Sequence, residues 1–209
     1  MSVIAQAGAK GRQLHKFGGS SLADAKCYLR VAGIMTEYSQ AGDMMVVSAA
    51  GSTTNQLISW LKLSQSDRLA AHQVQQSLRR YQTELIGGLV EPAAADTLIA
   101  AFIHDLERLA GLLDGGVTEA VYAEVVGHGE VWSARLMAAV LNQLGMEAAW
   151  LDARAFLRAE RAAQPQVDEG LSYPLLQQLM AQHPNKRLVV TGFISRNQAG
   201  ETVLLGRNG

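Results

Sequence analysis

Residues 16–21, with the sequence Lys-Phe-Gly-Gly-Ser-Ser, place a cation, two glycines and two hydroxyls between an apolar run and a helical pattern. A helix that starts just after glycines presents free backbone N–H groups, and an anion is held well there. Lys16 adds a mobile positive charge, so the segment predicts phosphate binding at a strand-to-helix turn. It is not a Walker P-loop, because the lysine precedes the glycines. An ordinary tight turn with a solvated lysine is the alternative that these residues leave open.

The design of strand, glycine turn and helix is repeated along the chain. The predicted strands are 12–17, 43–50, 146–151, 187–194 and, returning antiparallel, 201–205. The second strand leads into a turn rich in glycine, serine and threonine at 51–55. We therefore predict an α/β protein with a mostly parallel central sheet and helices on both faces. Turns at one edge of such a sheet open on the side where ligands bind.

Two longer helical stretches are predicted in addition to these repeated units. Residues 67–113 have helical spacing and predict a helical hairpin inserted into the α/β fold, as a lid or a packing layer. The charged pair 79–80 and the charged cluster 105–108 are expected on solvated faces. A second helix is expected to start at 118–119, break at 127–130 and resume over 131–144. The break would put Glu130 in a first helical turn, where the dipole favours a carboxylate, and a plain capping role is the alternative.

The composition argues against several classes of function. The net charge is −1, so general attraction to nucleic acid or to an anionic membrane is not expected. No apolar run approaches the roughly 20 residues of a membrane span. Cys27 is the single cysteine, which excludes an intramolecular disulfide and suits a cytoplasmic location. The histidines are scattered along the chain, so no metal site is assigned.

Several short motifs occur in a definite order. They are Lys16 to Ser21, Val47-Ser48-Ala49, Thr54-Asn55, Gly129-Glu130, Gly192-Phe193 and Gly206-Arg207-Asn208-Gly209. In this order and at these spacings, the chain resembles the aspartate kinases of the amino acid kinase family over its whole length. The resemblance implies an amino acid kinase-like fold. It also implies ATP-dependent phosphorylation of the β-carboxylate of L-aspartate to 4-phospho-L-aspartate, the first step towards lysine, methionine and threonine.

The resemblance assigns roles at the phosphate end of the site. The lysine of the motif lies against the transferring phosphoryl group in this family, so Lys16 would stabilise its charge as the catalytic residue. Gly18, Gly19 and Ser20 would bind phosphate oxygens. The attacking carboxylate is ionised at neutral pH and needs no general base, so positioning and charge neutralisation by Lys16, the glycines and Mg²⁺ would suffice.

The resemblance also assigns roles at the amino acid end of the site. Ser48 and Thr54 would line the aspartate pocket, and the backbone around Phe193 would close it. Glu130 would receive the α-ammonium group of the substrate. Arg207 would clamp a substrate carboxylate, since its planar guanidinium suits bidentate recognition.

The resemblance covers one part of a kinase. Residues 1–11 are expected to be a loose leader, and 12–209 the N-terminal, amino-acid-binding part of an aspartate kinase domain. The third glycine turn is followed by no helix, so the chain is expected to be a truncated piece that is inactive alone. The rest of the kinase domain and the regulatory and dehydrogenase regions would be absent, and NADP would serve only the dehydrogenase. Asn208 replaces the usual glycine of this turn and tolerates a left-handed backbone.

The intact protein is expected to be a cytoplasmic homo-oligomer that uses ATP and Mg²⁺. Two alternatives stay open. One is another member of the amino acid kinase family, acting on acetylglutamate, glutamate or a nucleotide monophosphate. The other is a non-catalytic binding or assembly module in which the glycine turns are only structural.

Overall fold

The computed structural model describes residues 12–206 and has a four-stranded sheet at its centre. The strands are β1 (Leu14–Phe17), β2 (Met44–Val47), β3 (Ala148–Leu151) and β4 (Arg187–Thr191). They pair in the order β1-β2-β4-β3, and every pair is parallel. Short apolar runs such as those of β2 and β4 are typical of a buried parallel sheet. The predicted parallel sheet is therefore confirmed.

A separate hairpin follows β4. Strands β5 (Ile194–Arg196) and β6 (Thr202–Leu204) pair antiparallel, which confirms the predicted return strand. The prediction of one strand over 187–194 was wrong, because Phe193 adopts a left-handed backbone with φ of 63° that ends β4. The predicted leader 1–11 and the terminal turn from Arg207 lie outside the described residues.

Helices cover both faces of the sheet. They are α1 (Ala25–Tyr38), α2 (Thr53–Ser64), α3 (Arg68–Gly87), α4 (Pro92–Asp114), α5 (Glu119–Gln143) and α6 (Glu169–Gln182). Helices α1 and α5 share a core with the sheet residues Met45 and Val189, whereas α6 packs on the opposite face against Leu188 and Val190. This confirms the prediction of helices on both faces. Within residues 12–206, no helix is long and apolar enough to cross a membrane.

Helices α3 and α4 form the predicted helical hairpin, and with α2 and α5 they enclose a second core. Its buried members include Leu57, Leu78, Phe102 and Leu109. The expectation that the cluster 105–108 is solvated was wrong for Asp105, which is only 7% exposed. The reason is that its partners come from α5, far along the sequence, as described below.

Helix α5 is continuous, so the predicted break at 127–130 was wrong. Glycine disfavours a helix by about 1 kcal/mol relative to alanine, which is why the local pattern suggested a break. Tertiary packing outweighs that preference. A Cβ on Gly127 would lie 2.5 Å from Ile194 Cγ2, and one on Gly129 would lie 2.8 Å from Ala49 Cβ. Glu130 is consequently in mid-helix, not in a first turn.

The first helix also begins later than predicted. The serines after the first glycines lie in a short 3₁₀ helix, Gly19–Leu22, and α1 starts at Ala25. Asp24 caps α1, since its side chain accepts a 2.8 Å hydrogen bond from the Cys27 N–H. The N-terminus of α1 is thus occupied by a carboxylate of the chain itself, so the α-helix that follows these glycines is not the predicted anion site.

Candidate active site

A cleft lies at the carboxyl ends of three neighbouring strands. The register aligns Phe17 with Val47 and Val47 with Thr191, so β1, β2 and β4 end side by side. This is the edge at which open α/β sheets bind their ligands. The cleft has a volume of about 910 Å³. Its lining includes Lys16, Gly18, Gly19, Ser48, Thr54, Glu130 and Phe193, all of which were predicted as site residues.

Two predicted site residues are not part of this lining. Ser20 is exposed within the 3₁₀ helix and does not line the cleft, because the chain turns away from the strand ends directly after Gly19. Arg207 lies outside the described residues. Its predecessor Gly206 does line the cleft, so the third glycine turn reaches the same edge as the first two.

The second glycine turn was predicted at 51–55, but α2 already begins at Thr53, so the turn comprises residues 50–52. It contacts the first glycine turn, residues 18–19. The Gly51 N–H donates a 3.1 Å hydrogen bond to the Gly19 carbonyl. A Cβ on Gly19 would lie 2.8 Å from the Ala49 carbonyl oxygen, so no other residue fits there without a backbone shift. The glycines therefore let two backbone segments approach closely at the mouth of the cleft.

Glu130 reaches the cleft from α5. Its side chain is nearly fully buried, and Oε2 has no hydrogen-bond partner among residues 12–206. Burial raises the pKa of Glu130 to about 7, against the lowering effects of the backbone N–H groups of Ala49 and Gly192 and of the Lys16 charge. Buried polar atoms are normally paired, so this carboxylate oxygen is free to accept a hydrogen bond from a group that enters the cleft.

Lys16 is the penultimate residue of strand β1 and lies two residues before Gly18. Its side chain is exposed, lines the cleft and makes no salt bridge within the described part of the chain. The Lys16 ammonium is close enough to Glu130 to lower the pKa of that carboxyl. One cleft therefore holds an unneutralised cation and a buried acid.

Phe193 is held at a corner that joins the sheet to the β5–β6 hairpin. The Gly192 N–H donates to the Val47 carbonyl at 2.9 Å, and the Leu205 N–H donates to the Phe193 carbonyl at 2.8 Å. These two hydrogen bonds bring the end of β6, and with it Gly206, to the strand ends. The backbone around Phe193 thus shapes one wall of the cleft.

Sequence reasoning missed a buried hydrogen bond between α1 and α5 that lies one helical turn from Glu130. Tyr28 on α1 and Ser133 on α5 are buried and share a 2.8 Å hydrogen bond between their hydroxyls. Burial and the loss of solvent raise the pKa of Tyr28. Ser133 is one turn from Glu130, so this bond fixes the α5 segment that carries the acid. No local sequence signal pairs two hydroxyls that lie 105 residues apart.

A buried ionic network behind the cleft was missed as well. Arg154 pairs with Glu124 and Asp152, each at 2.7 Å, and Thr202 donates to Glu124. Burial acts to raise the pKa of Glu124, but the Arg154 charge and the hydrogen bonds from Thr202 and Arg108 outweigh it and hold the pKa at about 2. The network ties the β5–β6 hairpin to α5.

The same network continues around His128. His128 Nε2 lies 3.6 Å from Asp105 Oδ1, and His128 Nδ1 lies 3.6 Å from Glu124 Oε1. Asp105 also accepts hydrogen bonds from Trp132 and Arg135. No group of three His, Cys, Asp or Glu residues within 12–206 could hold a metal ion.

Comparison with known proteins identifies relatives of this chain. The sequence model of the amino acid kinase family matches residues 11–209. The chain is 84% identical to bifunctional aspartokinase/homoserine dehydrogenase 2 of Escherichia coli (strain K12), over 100% of this chain and 26% of that protein. It is 27% identical to the chloroplastic bifunctional aspartokinase/homoserine dehydrogenase 1 of Arabidopsis thaliana, over 94% of this chain and 22% of that protein.

A solved structure agrees with these sequence relatives. Aspartokinase III of E. coli, crystallised with lysine and aspartate, superposes with a TM-score of 0.84 and 25% identity. The match covers 95% of this chain and 44% of that one. The chain therefore spans about a quarter of the two bifunctional relatives, and less than half of this kinase.

Proposed function

This chain belongs to the amino acid kinase family, and we propose that the full-length protein is an aspartate kinase that makes 4-phospho-L-aspartate from L-aspartate and ATP. The observation that carries the proposal is one cleft that contains both the buried Glu130 carboxylate and the Lys16 ammonium. Glu130 Oε2 has no hydrogen-bond partner, and Lys16 makes no salt bridge, among residues 12–206. A substrate with an ammonium group at one end and a phosphoryl acceptor at the other suits this pair of charges.

Glu130 binds the α-ammonium group of aspartate in this proposal. The acid is buried and its pKa is about 7, so a cation placed against Oε2 restores the ionised form and supplies the missing hydrogen bond. Ser48 and Thr54 lie on the same cleft and offer hydroxyls to the remaining polar groups of the amino acid. Arg207 clamps a substrate carboxylate, by its place directly after the cleft residue Gly206.

Lys16 acts at the opposite end of the substrate. Phosphoryl transfer needs alignment and stabilisation of the charge on the transferred group more than covalent help from the protein. The Lys16 ammonium supplies that charge, and the amides of Gly18 and Gly19 hold phosphate oxygens. The β-carboxylate attacks the γ-phosphorus, the bond to the bridging oxygen of ADP breaks, and no proton has to be moved by the protein.

The relatives extend the proposal beyond the cleft. The 84% identical protein is named as a bifunctional aspartokinase/homoserine dehydrogenase, and a related kinase was solved with aspartate bound. We assign the full-length protein to amino acid biosynthesis, with ATP and Mg²⁺ for the kinase reaction and NADP for a homoserine dehydrogenase region. The full-length protein is a cytoplasmic homo-oligomer in this proposal.

The test is phosphoryl transfer by the full-length protein. Aspartate-dependent formation of acyl phosphate, trapped with hydroxylamine, is expected, and Lys16→Ala should lower kcat by about 100-fold with the fold intact. Lys26→Ala, at an exposed lysine on α1, is the matched control and should keep the parent rate. Activity with another amino acid or a nucleotide monophosphate, but not with aspartate, would replace the proposed substrate. Full activity of Lys16→Ala would favour a structural role for the glycine turns.

A further inference from the structure

Helix α3 belongs to the inserted helical hairpin, yet two of its side chains reach the glycine turns of the cleft. Tyr81 and Gln82 are consecutive residues near the point where α3 crosses from one core to the other. Leu78, before them, is buried in the core shared with α2 and α4, whereas Leu85 and Ile86, after them, are buried against α1 and the sheet. Both flanks are anchored, so α3 is rigid at this point.

Tyr81 lies at the junction of the two glycine turns. Its hydroxyl donates a 3.0 Å hydrogen bond to the carbonyl of Ala23, directly after the 3₁₀ helix that follows the first glycine turn. A Cβ on Gly51 would lie 2.9 Å from the same hydroxyl oxygen and 3.4 Å from the Ala23 Cα. The phenol therefore holds the segment after the first turn and packs against the backbone of the second.

Gln82 holds the second glycine turn through one intermediate side chain. Its amide donates a 3.0 Å hydrogen bond to Thr53 Oγ1, and the Thr53 hydroxyl donates at 2.6 Å to the Ala50 carbonyl. Gln82 is 3% exposed and Thr53 is 0% exposed, so water does not replace either bond. The chain of bonds fixes the carbonyl of Ala50 one residue before Gly51.

The two turns are also bonded to each other through Gly51 and Gly19. We infer that Tyr81 and Gln82 are positioning residues, which set the distance between the two glycine turns and so align Lys16 and the phosphate-binding amides with the acceptor. This inference rests on the proposed kinase function. A helix that looks like a packing layer would then determine catalytic rate through two hydrogen bonds.

The test uses Tyr81→Phe and Gln82→Leu in the full-length protein. Misalignment of the turns removes interactions made in the transition state, so kcat should fall about tenfold or more while KM for aspartate changes less than about twofold. Thr53→Val should act like Gln82→Leu, and Thr53→Ser should keep the parent rate because it retains the hydroxyl. Gln76→Leu, at an exposed glutamine of α3, is the matched control.

Hydrogen exchange gives a readout that does not need activity. The Gly51 N–H donates to the Gly19 carbonyl, and in Tyr81→Phe and Gln82→Leu the two turns that carry these groups are held less firmly. The peptide containing Gly51 should therefore exchange faster in both variants. If the parent shows no aspartate-dependent transfer, the proposed function fails, and exchange alone decides the inference. Parent-like kcat in an active enzyme, or parent-like exchange of the Gly51 peptide in both variants, would overturn it. A loss of activity only in proportion to lost folded protein would also overturn it.

Discussion

Glu130 should make the use of aspartate depend on pH near neutrality. Its pKa in the ligand-free protein is about 7, and an ammonium group binds the ionised carboxylate rather than the protonated acid. With that pKa, about nine-tenths of the Glu130 side chains are ionised at pH 8 and about one-tenth at pH 6. The value of kcat/KM for aspartate should therefore fall about tenfold from pH 8 to pH 6.

The assay is the initial rate of the full-length enzyme at limiting aspartate and saturating ATP, measured from pH 5.5 to pH 8.5. Glu130→Gln keeps the shape of the side chain and removes its charge. We expect it to lower kcat/KM at pH 8 by about 30-fold or more, because removing one partner of a buried charge pair costs about 2–5 kcal/mol. The kcat/KM that remains in Glu130→Gln should not show the tenfold fall between pH 8 and pH 6. Titration of the ATP phosphates is common to both proteins, so the same fall in Glu130→Gln would refute the reasoning.

The raised pKa also predicts that Glu130 destabilises the folded protein at alkaline pH. The folded state binds this proton more tightly than the unfolded chain, so stability falls as pH rises from 4.5 towards 7 and stays lower above it. The pKa of Glu130 rises from 4.5 in the unfolded chain to about 7 in the folded protein, which corresponds to a loss of about 3 kcal/mol in the free energy of unfolding. Glu130→Gln should therefore unfold at a higher denaturant concentration than the parent at pH 8, with a smaller difference at pH 5. Lower stability of the variant at pH 8 would contradict the assigned burial.

Four further outcomes are expected. Gly129→Ala should lower the free energy of unfolding by about 1–3 kcal/mol in a denaturant titration, since its new methyl overpacks a buried contact. Gly111→Ala, where a Cβ meets nothing within 4 Å, should cause no such loss. Arg154→Leu should destabilise the fold by about 1–3 kcal/mol at pH 7, because Glu124 and Asp152 both lose the buried guanidinium and only Arg108 still pairs with Glu124. The pKa of Glu124 is held at about 2, so its stabilising contribution is present above pH 4.5 and lost as pH falls towards 2; an acid titration of the parent that lacks this loss would count against the pairing. Arg207→Lys should raise KM for aspartate with little change in kcat, if a planar fork is what clamps the substrate.

The parts of the cleft that could be predicted are those whose signals are local. Lys16 and the glycines after it lie at the end of one short apolar run, and Ser48 and Thr54 come after the valines that end a second one. Strand ends and glycine turns are set by a few neighbouring residues, and a parallel sheet then places successive turns at one edge. The shared lining of the cleft is a consequence of that topology, so it could be expected without knowing any long-range contact.

The features that could not be predicted depend on contacts between distant segments. Asp105 looks like a surface acid in its own helix, and only the fold brings Arg135, Trp132 and His128 to it. The hydrogen bond from Tyr81 to Ala23 joins residues 58 positions apart. Helical periodicity identifies which face of a helix is apolar, but it does not identify which polar side chain on that face will meet a turn.

The glycines of α5 explain both the failed helix prediction and the position of Glu130. Gly127 faces the β5–β6 hairpin through Ile194, and Gly129 faces the second glycine turn through Ala49. Because neither glycine has a Cβ, the helix backbone lies closer to both neighbours than an ordinary helix could. That close approach brings Glu130 Oε2 under Gly192, where a Cβ would lie only 3.2 Å away. Gly127 and Gly129 lower the intrinsic helix propensity of this segment. They also permit the close packing that places the buried carboxylate of Glu130 at the cleft from the middle of α5.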